Sequence, residues 1–140
     1  MRFRVSPRRF VLLGFPAARA LEIAAAVGSA PASGRGGSEL RQLVFERDVV
    51  TVFAPEEEEG ALPRDPTMRA LRGRRLITFE TPMSWDVVGF LARVTSALAE
   101  GGVPLGAICG FDRDHLFLDE RHLERARAIL RERICPEAGD

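Results

Sequence analysis

Two runs of apolar, β-branched and aromatic residues end in proline: RRFVLLGFP at residues 8–16 and RRLITFETP at residues 74–82. Each predicts a strand closed by a turn, since proline cannot donate to a sheet ladder. A helix is expected after each strand. In the second case Val87, Phe90, Leu91, Val94, Ala97 and Leu98 recur at the i, i+3, i+4, i+7 spacing of one helical face, with Arg93, Ser96 and Glu100 opposite. This places Gly89 in the helix's first turn, where glycine is a poor helix former, with Ser84 as N-cap and Gly101–Gly102 as the stop. VPLGAIC (103–109) and DHLFL (114–118) predict a hairpin turning at GFDR. DERHLERARAILRERI predicts the closing helix, with Asp119 as N-cap and Leu123, Ala126, Ile129, Leu130 and Ile134 facing inward.

The first half has the same order. A helix is expected at 17–28, a Gly/Ser-rich loop (GSAPASGRGGS) at 28–38, and strands at 39–45 and 49–54. Two prolines and a glycine then interrupt EEEEGALPRDPTMRAL, which leaves the second helix short or lost and the acid run Glu56–Glu59 as solvated loop. The halves align at a fixed offset of 66: the arginine pair, apolar positions and proline match, and FERDVVTVF (45–53) matches FDRDHLFLD (111–119). The chain therefore reads as an α+β protein with two ferredoxin-like βαββα units packed together. The expected boundaries are 1–60 for the first unit, 61–73 for a linker and 74–140 for the second. Each unit lacks a fourth strand. The alternating RFRVS segment at 2–6 is available for one, and the strand at 74–80 is placed to serve both halves, so strands are shared or swapped between the units.

Composition narrows the chemistry. The 20 basic residues, all arginine, balance 20 acidic ones, which removes the electrostatic case for nucleic acid or an anionic membrane. The absence of lysine excludes Schiff-base chemistry, a pyridoxal site and a phosphate-loop lysine. Two histidines, His115 and His122, cannot build a three-histidine zinc site. Cys109 and Cys135 lack CxxC spacing, so buried thiols in a reducing, cytoplasmic setting are expected. No apolar run approaches the ~20 residues that span a bilayer, and FVLLGF is too short for a secretion signal core.

DVVGFLARVTSALAEGGV resembles the first-helix signature of the ACT domain, a small ligand-binding regulatory module of amino-acid metabolic enzymes. In that family the loop typically reads D-x-P-G before two hydrophobic residues, and the helix ends in G-V or G-I. The whole layout is similar to the short two-ACT proteins related to aspartate kinase regulatory regions and to the arginine-sensing CASTOR proteins. APEE at 54–57 and FDRDHLFLDERHLERA carry that similarity, which spans about residues 8–133. It departs at Val88, where many ACT domains have proline, and in the loop at 28–38.

The resemblance implies a non-catalytic regulatory protein, without cofactor or metal, that binds an amino acid where a first loop and helix start meet a neighbouring module. It implies Asp86, Val87, Val88 and Gly89 as loop residues and Phe111 and Asp114 as the facing pair, with a homodimer plausible from exposed sheet edges. Ser84 is expected as N-cap first and ligand contact second. The physics runs the same way, because a helix N-terminus offers unpaired N–H groups and partial positive charge to a carboxylate. Packing remains an alternative for Gly89, as does a turn role for Asp114, which Asp48 matches in the first half. At the offset of 66, Ile23 stands for Gly89 and Ala20 for Asp86. Trp85 is assigned to the core edge ahead of a pocket wall. Two rivals stay open: an interaction module with no small ligand, and a metal or acid–base enzyme around Asp112, Asp114 and His115. The second is disfavoured because alternation along a strand sends residue 115 away from 112 and 114.

Overall fold

The computed structural model describes residues 1–29 and 40–139, so most of the Gly/Ser-rich loop expected at 28–38 lies outside the described residues. The strands are β1 (Phe3–Pro16), β2 (Gln42–Phe45), β3 (Val49–Pro55), β4 (Arg69–Phe79), β5 (Gly106–Cys109) and β6 (Asp114–Asp119). The helices are α1 (Ala20–Ser29), α2 (Phe90–Glu100) and α3 (Leu123–Arg133), with 3-10 turns at Ala17–Arg19, Glu56–Ala61 and Glu120–His122. The strands run in the order β2-β3-β1-β4-β6-β5, an α+β sheet of the expected class.

Two compact units emerge, residues 8–74 and residues 1–7 with 75–140. These bounds differ from 1–60, 61–73 and 74–140. Residues 61–74 belong to the first unit and include the start of β4, while the first seven residues belong with the second. The physical reason is strand supply. β1 and β4 are long enough to cross the boundary, so each gives its two ends to different units.

In the 8–74 unit, β1 pairs antiparallel with β3 from Phe10↔Pro55 to Pro16↔Val49, and β3 with β2 from Gln42↔Phe53 to Phe45↔Val50. Alternation sends Val11, Leu13 and Phe15 to one face, where they pack with Ile23, Val50, Val52 and Ala54. The expected second helix is reduced to the 3-10 turn Glu56–Ala61. Its acid run is not free solvated loop. Glu58 takes both arms of Arg41 at 2.6 and 2.5 Å, Glu59 pairs with Arg72, Glu57 with Arg8, and Glu56 accepts from the Gly73 amide. The turn is held to the unit by charge-assisted bonds instead of an apolar helical face.

In the second unit the Arg2 carbonyl accepts from the Glu80 amide at 2.9 Å, and the Arg75 guanidinium donates to the Ser6 carbonyl at 2.9 Å. The N-terminal end of β1 thus runs antiparallel beside β4 as this unit's fourth strand. The order β1-β4-β6-β5 is that of a complete ferredoxin-like sheet. Phe3, fully buried, joins a core of Ile77, Phe79, Phe90, Val94, Leu98, Leu116, Leu118, Leu123, Ala126 and Leu130. The expected apolar stripe on α2 is present except for Val87, which precedes the helix and is half exposed. Gly102, at φ 69°, closes α2: its amide donates to the Ala99 carbonyl, and that of Val103 to the Leu98 carbonyl, the double bond of a glycine C-cap. Asp119 caps the turn leading into α3 by accepting from the Arg121 amide at 3.0 Å.

Candidate functional site

Between the end of β4 and the start of α2 lies an irregular segment, residues 80–89. Gly89 is not inside the helix as the spacing predicted. It precedes α2 in the left-handed region at φ 80°, ψ 4°, as its N-cap. A Cβ there would meet nothing within 4 Å, so close packing of helix on sheet is not why glycine occupies the position. The reason is backbone conformation, which costs an ordinary L-residue about 1–2 kcal/mol.

Because the cap is glycine, no side chain of the cap residue bonds to the helix start. The Arg93 amide donates back to the Gly89 carbonyl, whereas the amides of Phe90, Leu91 and Ala92 have no acceptor among the described residues. Ser84 is not the N-cap. Its carbonyl accepts from the Val87 amide at 3.0 Å, and its hydroxyl exchanges 3.3 Å contacts with Asp86, which closes a tight turn well ahead of the helix.

The opposite wall is the tip of the β5–β6 hairpin, which runs from Gly106↔Phe117 to Cys109↔Asp114. Alternation puts Asp114 on the face of Leu116 and Leu118, the face that carries α2. The Met83 amide donates to the Asp112 carbonyl at 3.1 Å and ties the loop to this tip. Between the walls is a cleft of about 320 Å³, near the lower end of small-molecule sites.

Five of the expected residues line this cleft: Ser84, Val87, Gly89, Phe111 and Asp114. Asp86 is held in the Ser84 turn and Val88 is 96% exposed, and neither is part of the lining. The cleft also takes in Met83, Trp85, Phe90, Leu91, Ala92, Cys109, Gly110, Asp112 and Arg113. Trp85 is the main correction. It is 72% exposed and does not cover the core; its ring meets Phe111 edge to face, with centroids 6.2 Å apart and planes at 70°. One signal was available, since the only tryptophan of the chain sits off the apolar helical stripe.

Cys109 departs from the buried thiol expected of it. It is exposed in the cleft, while Cys135 is buried. Its hydrogen bond to the Asp114 carboxylate, followed by burial and that charge, pushes the thiol pKa above its ordinary value. On the other face of the sheet His115 places Nδ1 2.9 Å from the Thr78 hydroxyl. Burial first, then Arg113, lowers its pKa from 6.5 against an opposing pull from Asp114. His115, Asp112 and Asp114 form no metal-holding group, and none exists among the described residues. No helix among those residues is long and apolar enough to cross a membrane.

Residues 72–132 match the family described as ACT domain. No curated protein matches the chain in sequence. Among solved structures, a protein of Agobacterium tumefaciens superposes with a TM-score of 0.73 at 18% identity, over 98% of this chain and 91% of that one. A structure of aspartokinase alpha and beta subunits gives 0.70 at 13% identity, over 94% and 96%. The ligand-free regulatory subunit of aspartate kinase from Thermus thermophilus gives 0.67 at 10% identity, over 96% and 97%. At such identities the likeness is one of fold.

Proposed function

We propose that this chain is a regulatory protein, without chemistry of its own, that binds an amino acid or similar small zwitterion in the cleft between residues 83–92 and the 109–114 hairpin tip. The observation that carries this reading is the open start of α2. Three amides with no acceptor among the described residues and the positive end of a helix dipole border a cavity whose far wall holds Asp114. A ligand carboxylate suits the amides. Its ammonium suits Asp114. The contacts proposed are Ser84, Val87, Gly89, Phe111 and Asp114, with Trp85 and the amides of Phe90–Ala92 added to the expected set.

The ACT-domain match and the fold shared with aspartate kinase regulatory chains support regulation through a bound metabolite. A reducing, cytoplasmic setting accords with two free cysteines. The test is a thermal-shift screen against the twenty amino acids. A binder present at a hundred times its Kd stabilises by about 2.7 kcal/mol. A second reading, a contact module that docks a protein partner or a second copy with no small ligand, is favoured by the exposure of Val88 at the cleft rim. It predicts a flat response to all twenty.

A further inference from the structure

The two walls of the cleft differ in kind. The loop and helix wall presents the side chains of Met83, Trp85, Val87 and Leu91 beside Ser84, while the hairpin wall presents Phe111 together with the charged run Asp112–Asp114. With the ligand's carboxylate on the α2 amides and its ammonium on Asp114, the side chains of Trp85, Val87, Leu91 and Phe111 are what the cleft offers its tail. An ammonium or guanidinium tail laid on these side chains would give up hydration without replacing its hydrogen bonds. An aliphatic or thioether tail gains from the same contact. Trp85 and Phe111, both in the lining, meet edge to face and leave ring surface exposed for such a tail to cover.

Building on the binding reading above, we infer that the ligand is an amino acid with an apolar, unbranched or γ-branched side chain, of the leucine and methionine kind, and that Trp85 is the residue that selects it. The chain carries its own probe. Trp85 is its single tryptophan, so intrinsic emission reports on this cleft alone.

The experiment titrates the whole chain with L-leucine and L-methionine, and in parallel with L-lysine, L-arginine, L-serine and L-aspartate, following Trp85 emission and Tm together. The expected result is a saturable shift of emission to shorter wavelength and a Tm rise with the apolar pair, and neither with the polar four. Stabilisation by a polar amino acid but not by leucine or methionine overturns the inference and leaves the binding reading standing. No response to any of the six overturns the inference, and a flat thermal-shift response to all twenty overturns the amino-acid reading with it. Because Trp85 is largely exposed, Trp85→Ala is expected to fold normally and to weaken leucine or methionine binding about tenfold, measured by calorimetry. Unchanged affinity in that variant also overturns the inference.

Discussion

The two halves open their helices differently. In the 8–74 unit the chain leaves β1 at Pro16, makes a single 3-10 turn and enters α1 at Ala20. In the other unit it leaves β4 at Phe79 and reaches α2 only at Phe90. Strands that align at an offset of 66 therefore lead to helices offset by 70, as Ala20 and Phe90 show. Consequently Ile23 and Gly89 are not counterparts: Ile23 is a fully buried helical residue, and Gly89 is a left-handed cap beside open space. The hairpins diverge too. Phe45 still pairs with Val50, whereas Phe111 lies beyond the last pair, Cys109↔Asp114, on the cleft wall. A short excess of chain at two turns accompanies the cleft between helix start and hairpin tip in the second unit.

Five changes would break or sharpen this contrast. The largest effect is expected from Phe3→Ala, which empties a fully buried site in the second unit's core and costs about 3–5 kcal/mol by urea denaturation. Gly106→Ala comes next. Its Cβ would stand 2.1 Å from the Phe117 ring, so overpacking of about 1–3 kcal/mol is expected, measured in the same way. Gly89→Ala should cost about 1–2 kcal/mol from conformation alone, and Gly89→Asn less, because asparagine tolerates the left-handed region better.

The pH effects are smaller. His115 has a folded pKa below its ordinary 6.5, so the unfolded chain binds its proton first as pH falls. The stability tied to the neutral ring is present above 6.5 and is lost as pH drops through the folded value. His115→Gln should flatten that part of the pH–Tm curve. Last, Asp114→Asn should leave stability nearly unchanged and let the Cys109 thiol pKa fall, seen as iodoacetamide alkylation setting in at lower pH.

The sequence made the periodic parts legible. The α2 stripe from Phe90 to Leu98, the glycine stop at 101–102, the Asp119 cap and the weakened second helix near Glu56 all rest on local spacing, which needs no tertiary knowledge. The site was half legible. Gly89 drew attention as an anomaly, but the helical period ran one turn too far back through Val87, because an apolar residue before a helix mimics one inside it. Residue type assigns Trp85 to the core edge and Cys109 to the interior, whereas loop geometry decides their exposure. The acid run looked solvated because its partners Arg8, Arg41 and Arg72 are distant in sequence.

Sharing β1 and β4 between the units has a consequence for biosynthesis. Residues 3–7 are translated well before the strand they lie beside, which is completed only with Phe79, and before α3, which completes the core that buries Phe3. This segment must therefore wait, unpaired, until β4 and α3 have been made. Early segments with no partner are the ones chaperones and aggregation compete for. The unit of residues 1–7 and 75–140 should then mature late, as one cooperative event, after the contiguous 8–74 unit is already complete.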